Sequence, residues 1–409
     1  MKKTVFALVC LGLGLGAVAG VGSAQAQSNV QVYGIATAGL GYVDKVVTAP
    51  GQTGSRLGLD SGQYTQSRLG FRGTEDLGGG LKASFVIEGG LTLDNGASGQ
   101  GGATFGRRTT IGLEGAYGDL QLGRRKDYSD FIARQYSSAS RMLQFTGKAH
   151  GNNLDRSTGE RANNMVYYTS PKLAGLELNL VYAFGEVAGS TSTGQSLGLG
   201  ANYDTGGPFA LGFAYWQSKK GATVGATNSS SDQGSASNAG CNTATLGAAG
   251  DTCVQSLMVG GRYRVGAGVT LHGTWSLARQ PLINAGAGVA PAFATSFSQN
   301  AGSGAFTAGG INNSRVSIID AGLDYSIGPW LLKAGLIHSR FEFVRARDKG
   351  TLTAPLLGAD YILSKRTLVY GTLGTMRASH MYSPGLTANG APGLDNHQNA
   401  LGLGVLHRF

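Results

Sequence analysis

Ser67-Arg68-Leu69-Gly70-Phe71-Arg72-Gly73-Thr74-Glu75-Asp76-Leu77-Gly78-Gly79-Gly80-Leu81-Lys82-Ala83 carries the pattern that decides the fold. Leu69 and Phe71 alternate with Arg68, Gly70 and Arg72, and the run then breaks on Asp76-Leu77-Gly78-Gly79-Gly80. Apolar side chains at every second position share one face of a strand and the polar ones share the other. A cluster of Asp and Gly marks a turn. The segment reads as two antiparallel strands about a tight turn.

Working outward, the same period recurs in segments of roughly ten residues. Val30, Val32, Ala36, Ala38, Leu40 and Tyr42 fall on one face at the start, opposite Gln31, Tyr33 and Thr37. Leu401, Leu403, Val405 and Phe409 share a face at the end. Ile111 and Leu113, then Leu176, Leu178 and Leu180, then Phe209, Leu211, Phe213 and Tyr215 repeat the pattern between them. Tight turns are expected at 76–80, 115–118, 171–175, 206–208 and 364–366. They alternate with long polar loops near 44–62, 126–160, 219–253, 281–312 and 379–396. Short turns at one end and long loops at the other is the asymmetry of a barrel that spans a membrane. Counting between the breaks gives about sixteen strands. Tyr42, Tyr64, Phe71, Trp330, Tyr361 and Phe409 near strand ends are candidates for interfacial girdles.

The first residues read as an export signal. Lys2 and Lys3 precede an uncharged apolar stretch from Thr4 to Gly22, and Ala24-Gln25-Ala26 offers a small-x-small cleavage site. Removal of residues 1–26 from 409 leaves 383, and losing two lysines takes the formal charge from +10 to +8. Beyond residue 26 no run of about eighteen apolar residues exists, so no helix is expected to span a bilayer. An exported chain of this length is then a soluble β protein, such as a β-sandwich adhesin or binding module, or a transmembrane barrel; periodicity alone does not choose. A basic excess fits nucleic acid, an acidic surface or an anionic solute, and no nucleic-acid motif is present. Cys241 and Cys253 flank a Gly/Ala/Thr/Asn segment and make a short disulfide-closed loop plausible in an oxidising compartment. The six His show no metal-ligand spacing and no Ser/His/Asp arrangement can be assembled, so neither metal, cofactor nor enzymatic chemistry is expected.

The hairpin at 67–83 resembles the signature hairpin of the Gram-negative general-diffusion porins of the β-proteobacterial type. Val32-Tyr33-Gly34 is similar to that family's opening strand. The stretch from Gly112-Leu113-Glu114-Gly115 to Leu122-Gly123-Arg124 is similar to the strands entering its constriction loop. Arg161-Ala162-Asn163-Asn164 through Pro171 is similar to the strand leaving it. Ala359 to Thr367 resembles its late turn and His407-Arg408-Phe409 its ending. The resemblance runs the length of the mature chain, 27–409. It implies an all-β, 16-stranded antiparallel transmembrane β-barrel with short periplasmic turns and long extracellular loops. It also implies a third loop, about 126–160, folded into the lumen. A homotrimer in outer-membrane lipid and lipopolysaccharide follows from it, with Phe409 read by the barrel-assembly machinery.

Function in such a channel is passage of small hydrophilic solutes, selected by width and by fixed charge at the narrowest point. Arg68 faces the lumen by parity, and the resemblance places Arg124 and Arg161 on the wall at the constriction. Arg72, Arg108 and Arg125 share the lumen parity, nearer the rims. Asp127 to Ser138 is expected to form a short helix in the third loop, with Phe131, Ile132 and Tyr136 on the wall. Cation-preferring relatives concentrate acids in this loop. Here Asp127, Asp130, Asp155 and Glu160 face Lys126, Arg134, Arg141, Lys148 and Arg156. With the +8 balance this predicts a preference for anions, through a general pore or, alternatively, a channel specific for one anionic solute.

Overall fold

The computed structural model describes residues 29–49, 52–138, 140, 142, 161–221, 229–230, 248–279, 313–343, 349–379 and 395–409. The export signal expected at 1–26, Cys241, and the third loop beyond 142 lie outside them, and with that loop go Arg141, Lys148, Asp155, Arg156 and Glu160.

Eighteen strand segments form one antiparallel sheet. They are β1 Asn29–Ala49, β2 Gln52–Ser61, β3 Arg68–Gly78, β4 Leu81–Gly90, β5 Arg108–Gly115, β6 Gly118–Lys126, β7 Arg161–Thr169, β8 Leu176–Ala183, β9 Ser196–Asp204 and β10 Phe209–Lys219. The two-residue β11, Ser229–Ser230, precedes β12 Thr252–Gly266, β13 Val269–Arg279, β14 Asn313–Ile327, β15 Trp330–Phe343, β16 Lys349–Ile362, β17 Thr367–Ser379 and β18 His397–Arg408. β1 pairs with β2 along its upper half and with β3 along its lower half, so β2 and β3 are one stave interrupted at 62–67. β11 only bridges Arg161 and Ala162 at the start of β7. The result is a sixteen-stave barrel, closed where β1 meets β18 from Ile35↔Arg408 to Val43↔Ala400. A closed barrel has no sheet edge, which is the only way strands satisfy their backbone in lipid.

The apolar rows face outward. Leu40, Leu59, Ile111, Leu180, Leu357 and Leu403 are each half-exposed or more. A soluble sandwich would bury these rows between two sheets, so the sandwich alternative is excluded by the orientation of the pleat. Water does not tolerate so continuous an apolar band; hydrocarbon does. Tyr117, Tyr203, Phe209, Tyr263, Trp330, Tyr361 and Phe409 are exposed at the short-turn end, where Trp330 and Tyr361 pack edge to face at 4.8 Å. Tyr64 does not join this girdle. It points inward, and its hydroxyl donates to Asp360 at 2.6 Å.

The short turns hold the expected residues. Gly78, Gly79 and Gly80 all have positive φ, which three side-chain-bearing residues would not adopt together, and the Gly78 amide donates to Asp76 at 2.9 Å. One loop expectation is corrected. Most of 44–62 is not loop but the extended arms of β1 and β2, paired as far as Ala49↔Gln52. The alternation of Arg56, Leu57, Gly58, Leu59 and Asp60 continues there, and its small and polar inward residues disguised it as a loop.

Candidate functional site

The third loop turns into the lumen directly after β6. Asp127 accepts the Ser129 amide at 2.7 Å and opens helix α1, Ser129–Tyr136. Asp130 lies in its first turn and Arg134 in its last, the charge order that complements a helix dipole. Ile132 and Tyr136 are fully buried against β10 and β12. The Tyr136 hydroxyl donates to Asn202 at 2.5 Å, and burial pushes it up to about 12. The Tyr128 hydroxyl donates to Glu177 at 3.0 Å. Past the helix, the Ser138 amide and the hydroxyls of Ser137 and Ser138 all donate to the buried carboxylate of Asp320 on β14.

A row of inward glycines makes room for this loop. A Cβ on Gly212 would sit 2.5 Å from Ile132, and one on Gly260 would sit 2.8 Å from Tyr136. On Gly322 it would meet Ser138 at 2.7 Å, and on Gly335 the same serine at 2.7 Å. On Gly358 it would meet the Met142 sulfur at 3.1 Å. These glycines lie on β10, β12, β14, β15 and β16, so the wall is shaved along one track and the loop backbone is seated in it.

The wall of β3 to β7 carries the opposing charge. Glu88 is its centre. It accepts from Arg107 Nε at 2.7 Å and from the Tyr33 hydroxyl at 3.0 Å, with Arg68 Nη1 4.0 Å away. Arg68 is further fixed by the Gln66 carbonyl at 3.0 Å and the Thr65 hydroxyl at 2.9 Å. Arg108 and Arg125 both donate to Gln121 Oε1, at 2.8 and 2.5 Å, and the Arg125 guanidinium lies 3.5 Å over the Tyr167 ring. The acceptor they share is neutral, and among the described residues neither guanidinium is in an ion pair, although Arg108 lies opposite Glu88 in register. Arg134 projects from α1, 64% exposed, close enough for its charge to act on Arg68. Asp130 is spent locally on Lys126 at 3.0 Å and Arg134 at 2.7 Å. Burial works against its ionisation, but those two cations prevail and hold its carboxyl well below the usual range. Among the described residues, β3 to β7 with α1 and the adjoining Arg107 and Asp127 hold ten cations (Arg68, Arg72, Lys82, Arg107, Arg108, Arg124, Arg125, Lys126, Arg134, Arg161) against seven carboxylates (Glu75, Asp76, Glu88, Glu114, Asp119, Asp127, Asp130).

The expected site residues separate by geometry. Arg68 and Arg125 are on the inner wall, as is Arg72, which is exposed toward the short-turn end, 5.1 Å from the Tyr33 ring. Arg161 is 2% exposed, lies opposite Lys126 in register and donates to the Arg107 carbonyl at 2.7 Å, so it braces the wall as a buried group. Asp127 is equally covered, as a helix-start acceptor. Arg124 is a correction. It shares the outward face of Leu120 and Leu122, lies opposite Thr109 in register, and donates to the Gly106 carbonyl at 2.7 Å and Asn163 at 2.6 Å. Parity counted from Leu122 would have placed it so; Arg125 is the inward member of the pair. Arg107 and the central role of Glu88 were not foreseen, and Arg134 was counted among the loop's cations without its place on the helix. Arg107 lies before its strand begins, where parity says nothing, and Arg134 needed the helix phase. Cys253 is disulfide-bonded, its partner lying outside the described residues. Phe409 exchanges backbone hydrogen bonds with Gly34 at 3.0 and 3.2 Å and completes the closure.

A family model described as Gram-negative porin matches residues 13–380. Outer membrane porin protein 32 of Delftia acidovorans is 36% identical over 214 residues, covering 50% of this chain and 57% of that one. An outer membrane porin protein of Bordetella pertussis is 34% identical over 195 residues, covering 45% of this chain and 48% of that one. The matched part therefore spans about half the length of these curated relatives. Among solved structures, an anion-selective porin from Comamonas acidovorans superposes with a TM-score of 0.66 at 24% identity, covering 94% of this chain and all of that one. At that identity the likeness is one of fold.

Proposed function

As the chain belongs to the Gram-negative porin family, we propose that it is an outer-membrane channel for passive diffusion of small hydrophilic solutes, with a preference for anions. The observation that carries the preference is the pairing of an arginine wall on β3 to β6 with Arg134 on the facing loop, while Asp130 and Glu88 are engaged by cations. Guanidiniums keep their charge even when crowded, since their pKa exceeds about 12. A narrow aqueous path between low-dielectric walls strengthens the field an anion feels. Arg68, Arg125 and Arg134 face the passing solute, with Arg72 at the short-turn side.

The same reading takes residues 1–26 as a cleaved export signal, Phe409 as the assembly signal, and the working unit as a homotrimer in the outer membrane. Cys241 is the partner it assigns to Cys253. The test is the reversal potential of the reconstituted channel across a KCl gradient in a planar bilayer. It is expected to carry the sign of Cl⁻ preference; a K⁺ preference refutes the charge assignment. Conductance that rises in proportion to salt supports a general pore, whereas saturation by one anion at low concentration supports the solute-specific alternative.

A further inference from the structure

The stave formed by β2 and β3 is interrupted, and the interruption is larger than a bulge. Ser61 pairs with Ala38 and Arg68 with Ile35, so six residues, 62–67, stand against only Ala36 and Thr37 on β1. A bulge inserts one extra residue into one strand of a pair; here the excess must leave the sheet. Thr37 pins both ends of the excursion. Its carbonyl accepts from the Gly62 amide at 3.0 Å and from the Ser67 hydroxyl at 3.1 Å, and its amide donates to Ser67 Oγ at 3.0 Å. Gly62 takes a positive φ at the point of departure.

The excursion turns into the lumen and lies across the neighbouring staves. Gln63 donates to the Gly39 carbonyl of β1 at 3.2 Å and accepts from the Tyr370 hydroxyl of β17 at 3.3 Å. A Cβ on Gly39 or Gly41 would sit 2.7 or 2.6 Å from the Gln63 amide group, so this glycine pair is its seat. The Tyr64 ring packs 5.1 Å from that of Tyr370, and its hydroxyl donates to Asp360 of β16. The Lys333 ammonium of β15 donates to Asp360 at 2.7 Å and lies 4.6 Å from the Tyr64 ring centre. Lys333 follows the outward Leu332 and Asp360 precedes the outward Tyr361, so both project inward, yet each side chain is 1% exposed. An ion pair on the wall of a water-filled lumen is dry only where something covers it. Tyr64 covers it from one side. From the other comes Met142 of the third loop: a Cβ on Gly358 would meet Lys333 Cε at 3.0 Å and the Met142 sulfur at 3.1 Å.

The two in-turned segments therefore meet on β15 and β16. The third loop follows the inner wall from β10 to Gly358, and 62–67 follows it from β1 to Asp360 in the opposite sense. The arginines of β3 to β6 stand on the arc that they leave, and the second half of the excursion reaches them. The Gln66 carbonyl and the Thr65 hydroxyl hold Arg68, and Gln66 Oε1 accepts from Arg107. We propose that residues 62–67 are a second constriction segment, in which Tyr64 is the positioning residue. By clasping Lys333 and Asp360 it sets both the pore width and the placement of Arg68 and Arg107. The proposal rests on the reading of the chain as a channel and deepens it. One strut bears on a charge-balanced anchor at one end and on two guanidiniums at the other. Releasing the anchor widens the path and frees the charge together, and a wider path weakens the field that an anion feels.

The test is passage of the uncharged sugars glucose, sucrose and raffinose into phosphatidylcholine liposomes carrying the mature channel, with the KCl reversal potential read on the same protein. Tyr64→Ala should raise the raffinose rate relative to glucose severalfold and shift the reversal potential toward zero. Heat resistance of the barrel in SDS gels should not change, since β1 keeps its ladders with β2 and β3. Tyr64→Phe, which keeps the ring and loses the hydroxyl, should move both readouts in the same direction by less. Lys333→Met with Asp360→Leu removes the pair without stranding a buried charge and should act as Tyr64→Phe does. Wild-type sugar ratios in an assembled Tyr64→Ala overturn the role of the segment, whatever the ion preference. If Tyr64→Ala does not assemble, wild-type ratios in both milder variants overturn it. Sugar ratios that move in a channel preferring K⁺ support the segment and overturn the anion reading.

Discussion

Asp320→Ala should free the third loop beyond α1 without harming the barrel. One carboxylate, 1% exposed, receives the Ser138 amide at 3.1 Å together with the hydroxyls of Ser137 and Ser138. Hydrogen bonds to a charged acceptor are worth about 1.5–3 kcal/mol each. The full sum is not lost, because the released groups meet lumen water and the cost of burying the carboxylate disappears with it. A net loss of about 2–4 kcal/mol for the attachment is reasonable, and at 1.4 kcal/mol per tenfold it raises the detached population roughly 30- to 700-fold. The helix stays seated, since Ile132 and Tyr136 remain against Gly212 and Gly260 and the Tyr136 hydroxyl keeps Asn202. The expected phenotype is greater open-channel noise and closure at lower voltage in single-channel recordings, with proteolysis inside 139–160 accelerated. Heat resistance of the folded barrel in SDS gels should not change, because β14 keeps its ladders with β13 and β15. Asp320→Asn, which keeps an acceptor but not the charge, should fall between. Quiet channels with wild-type voltage thresholds and an uncut loop in Asp320→Ala would show that this anchor does not hold the loop.

The same geometry makes further expectations. Arg68→Ser and Arg125→Ser should each shift the KCl reversal potential toward zero, whereas Arg124→Ser should leave it unchanged because that side chain faces outward; a shift in Arg124→Ser equal to that in Arg125→Ser would reverse the assignment of faces. Gly260→Val places new atoms within about 3 Å of Tyr136, closer than packed atoms tolerate, and should lower single-channel conductance by pushing α1 into the lumen, with selectivity retained. The depressed carboxyl of Asp130 contributes stability that is present above its unfolded value of about 3.9 and is lost only as pH falls through its lower folded value. Channel noise should therefore stay flat from pH 7 to about 4, while Asp130→Asn raises it at pH 7.

How far the sequence reached follows from what parity can and cannot say. Within a strand, facing is fixed by counting, so Leu69 against Arg68 or Leu403 against Gly404 needed no structure, and the closed barrel followed from the turns between such runs. Where counting was set aside for family likeness, at Arg124, the face came out wrong, although Leu122 two residues earlier held the answer. Where the chain leaves the ladder, counting stops. Arg107 precedes β5, Arg134 obeys a helical period, and the inner wall that receives α1 is written in glycines whose reason is a distant loop. Gly212 and Gly260 read locally as weak strand positions; only the seated ring of Tyr136, far off in the chain, shows that their missing side chains are the contact surface. The selectivity of such a chain is therefore divided between two kinds of information: facing, which is local and countable, and neighbourhood, which exists only once the sheet has closed on itself.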